Sequence, residues 1–105
     1  MTPLRDQHLE YEGVVAPIMK YLGSLPRSKC VNVHGGIYTE RGTPDVIGSI
    51  GGRAVAFECK RSPDEEQTRI QDWRLAEWLA SGAVVGAVSS VADVDLILRL
   101  MGVVE

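Results

Sequence analysis

Apolar positions along this chain fall into segments of two different periods. Residues 6–24 carry Tyr11, Val14 or Val15, Ile18, Met19 and Leu22 at helical spacing, the pattern of an amphipathic helix. Pro17 lies inside this run. A proline in a helix interior costs about 3 kcal/mol, so the helix either kinks there or begins just before it, with Pro17 in its first turn. "CVNVHGG" predicts a short strand ending in a turn at Gly35-Gly36, and "PDVIGSI" and "RAVAFECK" predict two more strands. Gly51-Gly52 between them is a two-residue hairpin signal. The next helix spans roughly 65–81 and has two competing starts. Ser62-Pro63-Asp64-Glu65 and Thr68-Arg69-Ile70-Gln71 each fit a capping box, and Gly82 ends the helix. "AVVGAVSS" reads as a buried strand. "VADVDLILRLMG" places Val94, Ile97, Leu98 and Met101 at i, i+3, i+4 and i+7, a helix again.

The element order is therefore helix, three strands, helix, strand, helix: an α/β fold with a mixed central sheet. The strand–helix–strand step implies a right-handed crossover and a sheet flanked by helices. With 105 residues, one domain over 1–105 is expected. No apolar run approaches the roughly 18–20 residues that span a membrane, and "MTPLRDQHLEYEG" lacks the layout of a signal peptide. A cytoplasmic protein with no membrane partner is the expectation. Cys30 and Cys59 form no pair or cluster with metal spacing and read as reduced, buried thiols. The net charge of −3 speaks against a generic basic nucleic-acid binder. It does not exclude nucleic acid, since carboxylates that hold a divalent cation count as negative until the cation arrives.

Two positions break the apolar pattern. Alternation along a strand puts Val55, Phe57 and Cys59 on one face and Ala56, Glu58 and Lys60 on the other. The second face thus carries a carboxylate and an ammonium on a strand whose composition says buried, and buried charge is costly unless paired or metal-bound. Asp45 opens the neighbouring strand. Asp45 and Glu58 lie at similar distances on either side of the hairpin turn, so they are near cross-strand neighbours. Two carboxylates and a backbone carbonyl make a hard oxygen site suited to Mg²⁺ or Mn²⁺. Lys60, next along the same face, can hold a water there or stabilise developing negative charge. This is equipment for metal-assisted phosphodiester hydrolysis.

Pro44-Asp45 followed by Glu58-Cys59-Lys60 resembles the PD-(D/E)xK nuclease superfamily. Glu12-Gly13, "GTPDVIG", "GGRAVAFECK", "TRIQ", "ASGA" and "SSVADV" occur in the order and rough spacing of a VRR-NUC (virus-type replication-repair nuclease) domain, from about residue 10 to 97. The resemblance implies a restriction-endonuclease-like core. Asp45 and Glu58 would be metal ligands, with the Cys59 carbonyl a further one. Lys60 would be the catalytic lysine, and Gln71 would support the site. Glu12 would contact the metal directly or through water. Pro17 departs from the family's uninterrupted first helix and leaves Glu10 as the substitute for Glu12. Small stand-alone chains of this type resemble those of phages and bacteria, associated with symmetric dimers and branched DNA such as Holliday junctions, in replication, recombination or repair. Cutting two strands symmetrically needs two sites about a twofold axis, which supports a homodimer. A nuclease for flaps or linear duplex, and a DNA-binding module without turnover, are the alternatives. No small-molecule cofactor is expected.

Basic residues near the proposed site are candidate phosphate contacts, Arg41 and Arg61 first, then Arg27, Lys29 and Arg53. His34 reads as a surface histidine that could approach DNA or metal. Trp73 and Trp78 read as core or dimer contacts.

Overall fold

The computed structural model describes residues 11–33 and 40–105. Tyr11–Val15 form a π-helical turn that runs into helix α1, Ala16–Ser24. Pro17 falls in the first turn of α1, directly after the π-helical turn. Of the two readings of that segment, the α-helix beginning at the proline is the one adopted, with wider winding before it. The N-terminal part of the expected helix, including Glu10, lies outside the described residues.

Strand β1 is Ser28–Asn32, β2 Val46–Ile50 and β3 Arg53–Cys59. The first strand starts earlier than "CVNVHGG" suggested, and residues 34–36 lie outside the described residues. Ile50 pairs with Arg53 across the hairpin. Gly51 and Gly52 have φ of 58° and 86°, the positive values that a type I′ turn requires at both central positions. Helix α2 is Arg69–Ala80, β4 Val84–Val88 and α3 Val91–Leu100.

The second of the two starts for α2 is the one used. Thr68 accepts from the Gln71 N–H and Gln71 reaches back to the Thr68 N–H, a complete capping box. The expected start at residue 65 is corrected accordingly: the Glu65 carboxylate is engaged by the Arg61 N–H at 2.7 Å and caps no helix. Ser90 caps α3 through the Asp93 N–H.

The sheet order is β1-β2-β3-β4, antiparallel at the first two junctions and parallel between β3 and β4. One face holds the core: Val46, Ile50, Val55, Phe57, Cys59, Val84 and Val88 meet Ile18 and Leu22 of α1 and Val94 and Leu98 of α3. Gly48 is required in the middle of β2, because a Cβ there would sit 2.6 Å from the Cys30 Cα. Helix α2 covers the other face, against β3 and β4, and buries only Leu75. Trp73 is 62% exposed, so the core reading of that residue is corrected. Both cysteines are free thiols, Cys59 buried and Cys30 half-buried. Among the described residues no helix is long and apolar enough to cross a membrane.

Candidate active site

β3 is unusual in being buried on both faces from Val55 to Cys59. The face toward α1 and α3 is apolar. The face toward α2 carries Ala56 and Glu58, followed by Lys60, and the two charged side chains are 4% and 5% exposed. Two ions can be held out of water this way only with directed partners, and α2 supplies them. Gln71 Nε2 donates to Glu58 Oε1 at 2.8 Å, and Lys60 Nζ donates to Gln71 Oε1 at 3.1 Å. The same Oε1 accepts from the Thr68 N–H. One amide therefore caps the helix and ties the carboxylate to the lysine.

Asp45 arrives from β2. Val46 pairs with Phe57, so continuing the ladder by one step sets Asp45 opposite Glu58. Asp45 Oδ2 accepts from the Cys59 N–H at 2.7 Å, and the Asp45 backbone carbonyl accepts from the Val33 N–H. This register brings the Asp45 and Glu58 carboxyls side by side, close enough for each to act on the other. Burial pushes Asp45 above the usual carboxylate range, against the opposing pull of the Cys59 N–H, Glu58 and Lys60, and nearby Glu65 adds to the rise. Two carboxyls in contact need a positive charge or a proton between them.

A divalent cation fits this arrangement. It would supply positive charge between the two carboxyls, and hard carboxylate oxygens are its preferred donors. The Cys59 N–H points at Asp45, and in an extended strand the carbonyl of the same residue points to the same edge. Asp45, Glu58 and the Cys59 carbonyl are therefore the groups that would hold it, with water completing the shell. Among the described residues no group of three or more His, Cys, Asp and Glu side chains is placed to hold an ion. Glu12 falls in the π-helical turn, but its side chain lies outside the described residues, as do Glu10 and His34.

Arg41 and Arg61 are both exposed. Arg61 follows Lys60 directly, its Nε 3.9 Å from Glu65. A cavity of about 310 Å³ opens beside Lys60, lined by Glu65, Ser89, Asp93 and Ile97 among others. Glu65 was not anticipated here, because its sequence context reads as a helix start. Arg74 also escaped notice. It lies one turn along α2 from Gln71, and nothing in its sequence neighbours marks it.

No family model and no curated protein matches the chain. Among solved structures the chain is similar to one named "VRR_NUC domain", at 20% identity over 90% of this chain and 91% of that one, with a TM-score of 0.60. It is also similar to one named "VRR_NUC domain protein", at 13% identity over 95% of this chain and 89% of that one, with a TM-score of 0.64. At these identities the likeness is one of fold, and it runs through nearly the whole length of all three chains.

Proposed function

We propose, with the VRR-NUC fold as premise, that this chain is a Mg²⁺- or Mn²⁺-dependent endonuclease that hydrolyses DNA phosphodiester bonds, acting on branched DNA as a homodimer. The observation that carries this reading is the contact of the Asp45 and Glu58 carboxyls across two strands, with Lys60 next on the same face.

When bound, the cation would supply charge neutralisation at the scissile phosphate and a more acidic attacking water. Asp45 and Glu58 would hold it. Lys60, held by Gln71, would stabilise the negative charge that develops on the phosphate. Gln71 fixes the lysine and Glu58 relative to each other, so little reorganisation is left for the moment of reaction. Arg41 and Arg61, both exposed, are the proposed phosphate contacts. Glu12 remains the proposed fourth contributor from the N-terminal turn.

The homodimer is supported by exposed apolar side chains on two helices: Trp73 and Leu79 on α2, and Leu96 and Leu100, one turn apart, on α3. The main argument for the dimer is that cutting two strands symmetrically needs two sites about a twofold axis. The setting is proposed to be the cytoplasm, in replication, recombination or repair.

Purified protein incubated with a four-way junction, a flap, a nicked duplex, a linear duplex and single-stranded DNA, with Mg²⁺, Mn²⁺ or chelator, tests the reading. Paired symmetric nicks in the junction, absent in Asp45→Ala, are expected. Cutting of flaps or linear duplex alone would retain the nuclease and discard the junction. Absence of cation binding would remove the reading altogether.

A further inference from the structure

We infer that Arg74 is a positioning residue for the Asp45–Glu58–Lys60 cluster, pinning the turn that leads into Asp45 onto the helix that carries Gln71. The inference rests on the function proposed above. The cluster is assembled from two sides. Glu58 and Lys60 come from β3 and are tied to α2 through Gln71. Asp45 comes from the end of the 40–43 turn, which closes on itself through Thr43, whose N–H and Oγ1 both donate to the Glu40 carbonyl. What sets the turn against the helix also sets Asp45 against Gln71.

Two contacts do this. Arg74 Nε donates to the Arg41 carbonyl at 2.9 Å, between residues 33 positions apart. Gly42, at φ +78°, lies so close to α2 that a Cβ would come 2.8 Å from the Ile70 carbonyl oxygen. Ile70 immediately precedes Gln71, and Arg74 follows it by three residues, so both contacts bear on the turn of helix that holds the cluster. The guanidinium also meets Glu40 at 3.2 Å and Glu77 at 2.7 Å and lies 5.6 Å from the Trp73 ring centre. Those carboxylates are 71% and 50% exposed, and exposed ion pairs hold little. The carbonyl bond is the part that fixes position.

Two substitutions separate it from the rest. Gln places an amide nitrogen where Arg carries Nε, so Arg74→Gln keeps a donor for the Arg41 carbonyl. Arg74→Leu matches the stem and has none. Both lose the ion pairs and the ring contact, and both residues suit a helix. Mn²⁺ is titrated calorimetrically into wild type and each variant, and amide exchange at Cys59, whose N–H is held by Asp45, is followed by NMR. Arg74→Leu is expected to weaken Mn²⁺ binding by about tenfold or more, the usual result of removing a group that orients a metal ligand, and to speed exchange at Cys59. Arg74→Gln stays within about threefold of wild type, while the two melting temperatures agree within about 2 °C. Gly42→Ala pushes the same turn off Ile70 and should weaken Mn²⁺ binding likewise. Wild-type affinity in Arg74→Leu or in Gly42→Ala, or equal weakening in Gln and Leu, overturns the inference alone. A wild-type protein that takes up no Mn²⁺ overturns it together with the metal site.

Discussion

Gln71→Ala should be among the most damaging single substitutions outside the apolar core. The amide makes three bonds: to Glu58 at 2.8 Å, from Lys60 at 3.1 Å and from the Thr68 N–H at 2.9 Å. Two of these involve ions that are at most 5% exposed. A hydrogen bond to a charged group contributes about 1.5–3 kcal/mol, and a capping bond about 1 kcal/mol. Gln71 itself is only half-buried, so water entering the gap recovers part of the sum, and about 3 kcal/mol should remain lost. For a chain of this length each kcal/mol moves Tm by about 4–8 °C, which predicts a fall of more than about 10 °C in thermal unfolding followed by circular dichroism. Gln71→Glu isolates one bond. It still accepts from Thr68 and Lys60, but it faces Glu58 with an acceptor in place of a donor, so its deficit should shrink as acid protonates the new carboxylate pair. A Gln71→Ala protein melting within about 3 °C of wild type would refute the view that this amide holds the buried charges together.

Lys60→Ala should abolish junction cleavage while leaving DNA retardation in gels near wild type; wild-type cleavage rates in that variant would remove Lys60 from the mechanism. Asp45 is held above the ordinary carboxylate range by burial, so the folded apo protein binds a proton there more tightly than the unfolded chain does. That stabilisation is complete below about pH 4 and is lost as pH rises through the raised value. Mn²⁺ must displace the proton, so affinity should climb over the same window with proton release, and calorimetry in two buffers of different ionisation heat reads this directly. Equal heats in both buffers would contradict it. Tyr21 is pushed up to about 12 by burial and by its hydrogen bond to Asp95. Its contribution is full below about pH 10 and fades as pH approaches 12, so urea unfolding at pH 9 and pH 11 should differ more for wild type than for Tyr21→Phe.

Much of the architecture is legible because each element states its own boundaries. The double glycine at 51–52 dictates the hairpin, and the hairpin dictates that Asp45 and Glu58 come together. That step needs only a period of two and a turn length. The start of α2 was ambiguous for a physical reason. Ser62 and Thr68 head equally good capping boxes, and only tertiary structure decides between them. Gln71 has ions to bind on β3, whereas Glu65 has the Arg61 N–H beside it. Of the core and dimer-contact readings of Trp73 only the first fails, because α2 lies on its sheet with one narrow face and leaves the indole outside it. Arg74 and Gly42 could not be foreseen as a pair, since their contacts join segments separated by the whole hairpin.

The placement of charge on β3 is itself an argument about purpose. A central strand buried on both faces is best filled with apolar residues, and replacing a buried ion pair by well-packed apolar side chains is often neutral or stabilising. Here the inner face of the sheet follows that rule without exception from Val55 through Cys59, while the face toward α2 departs from it at Glu58 and again at Lys60. The departure is supported from three directions: a helix-capping glutamine, an aspartate contributed by the adjacent strand, and a turn docked onto the helix by Arg74 and Gly42. Structure that holds like charges in contact does not serve stability, because carboxyls as close as Asp45 and Glu58 repel unless something positive comes between them. A cation arriving from outside is what the proposed function would add to this arrangement, and the placing of Asp45 beside Glu58, with Lys60 next on the same face, supports that proposal more than any single residue type does.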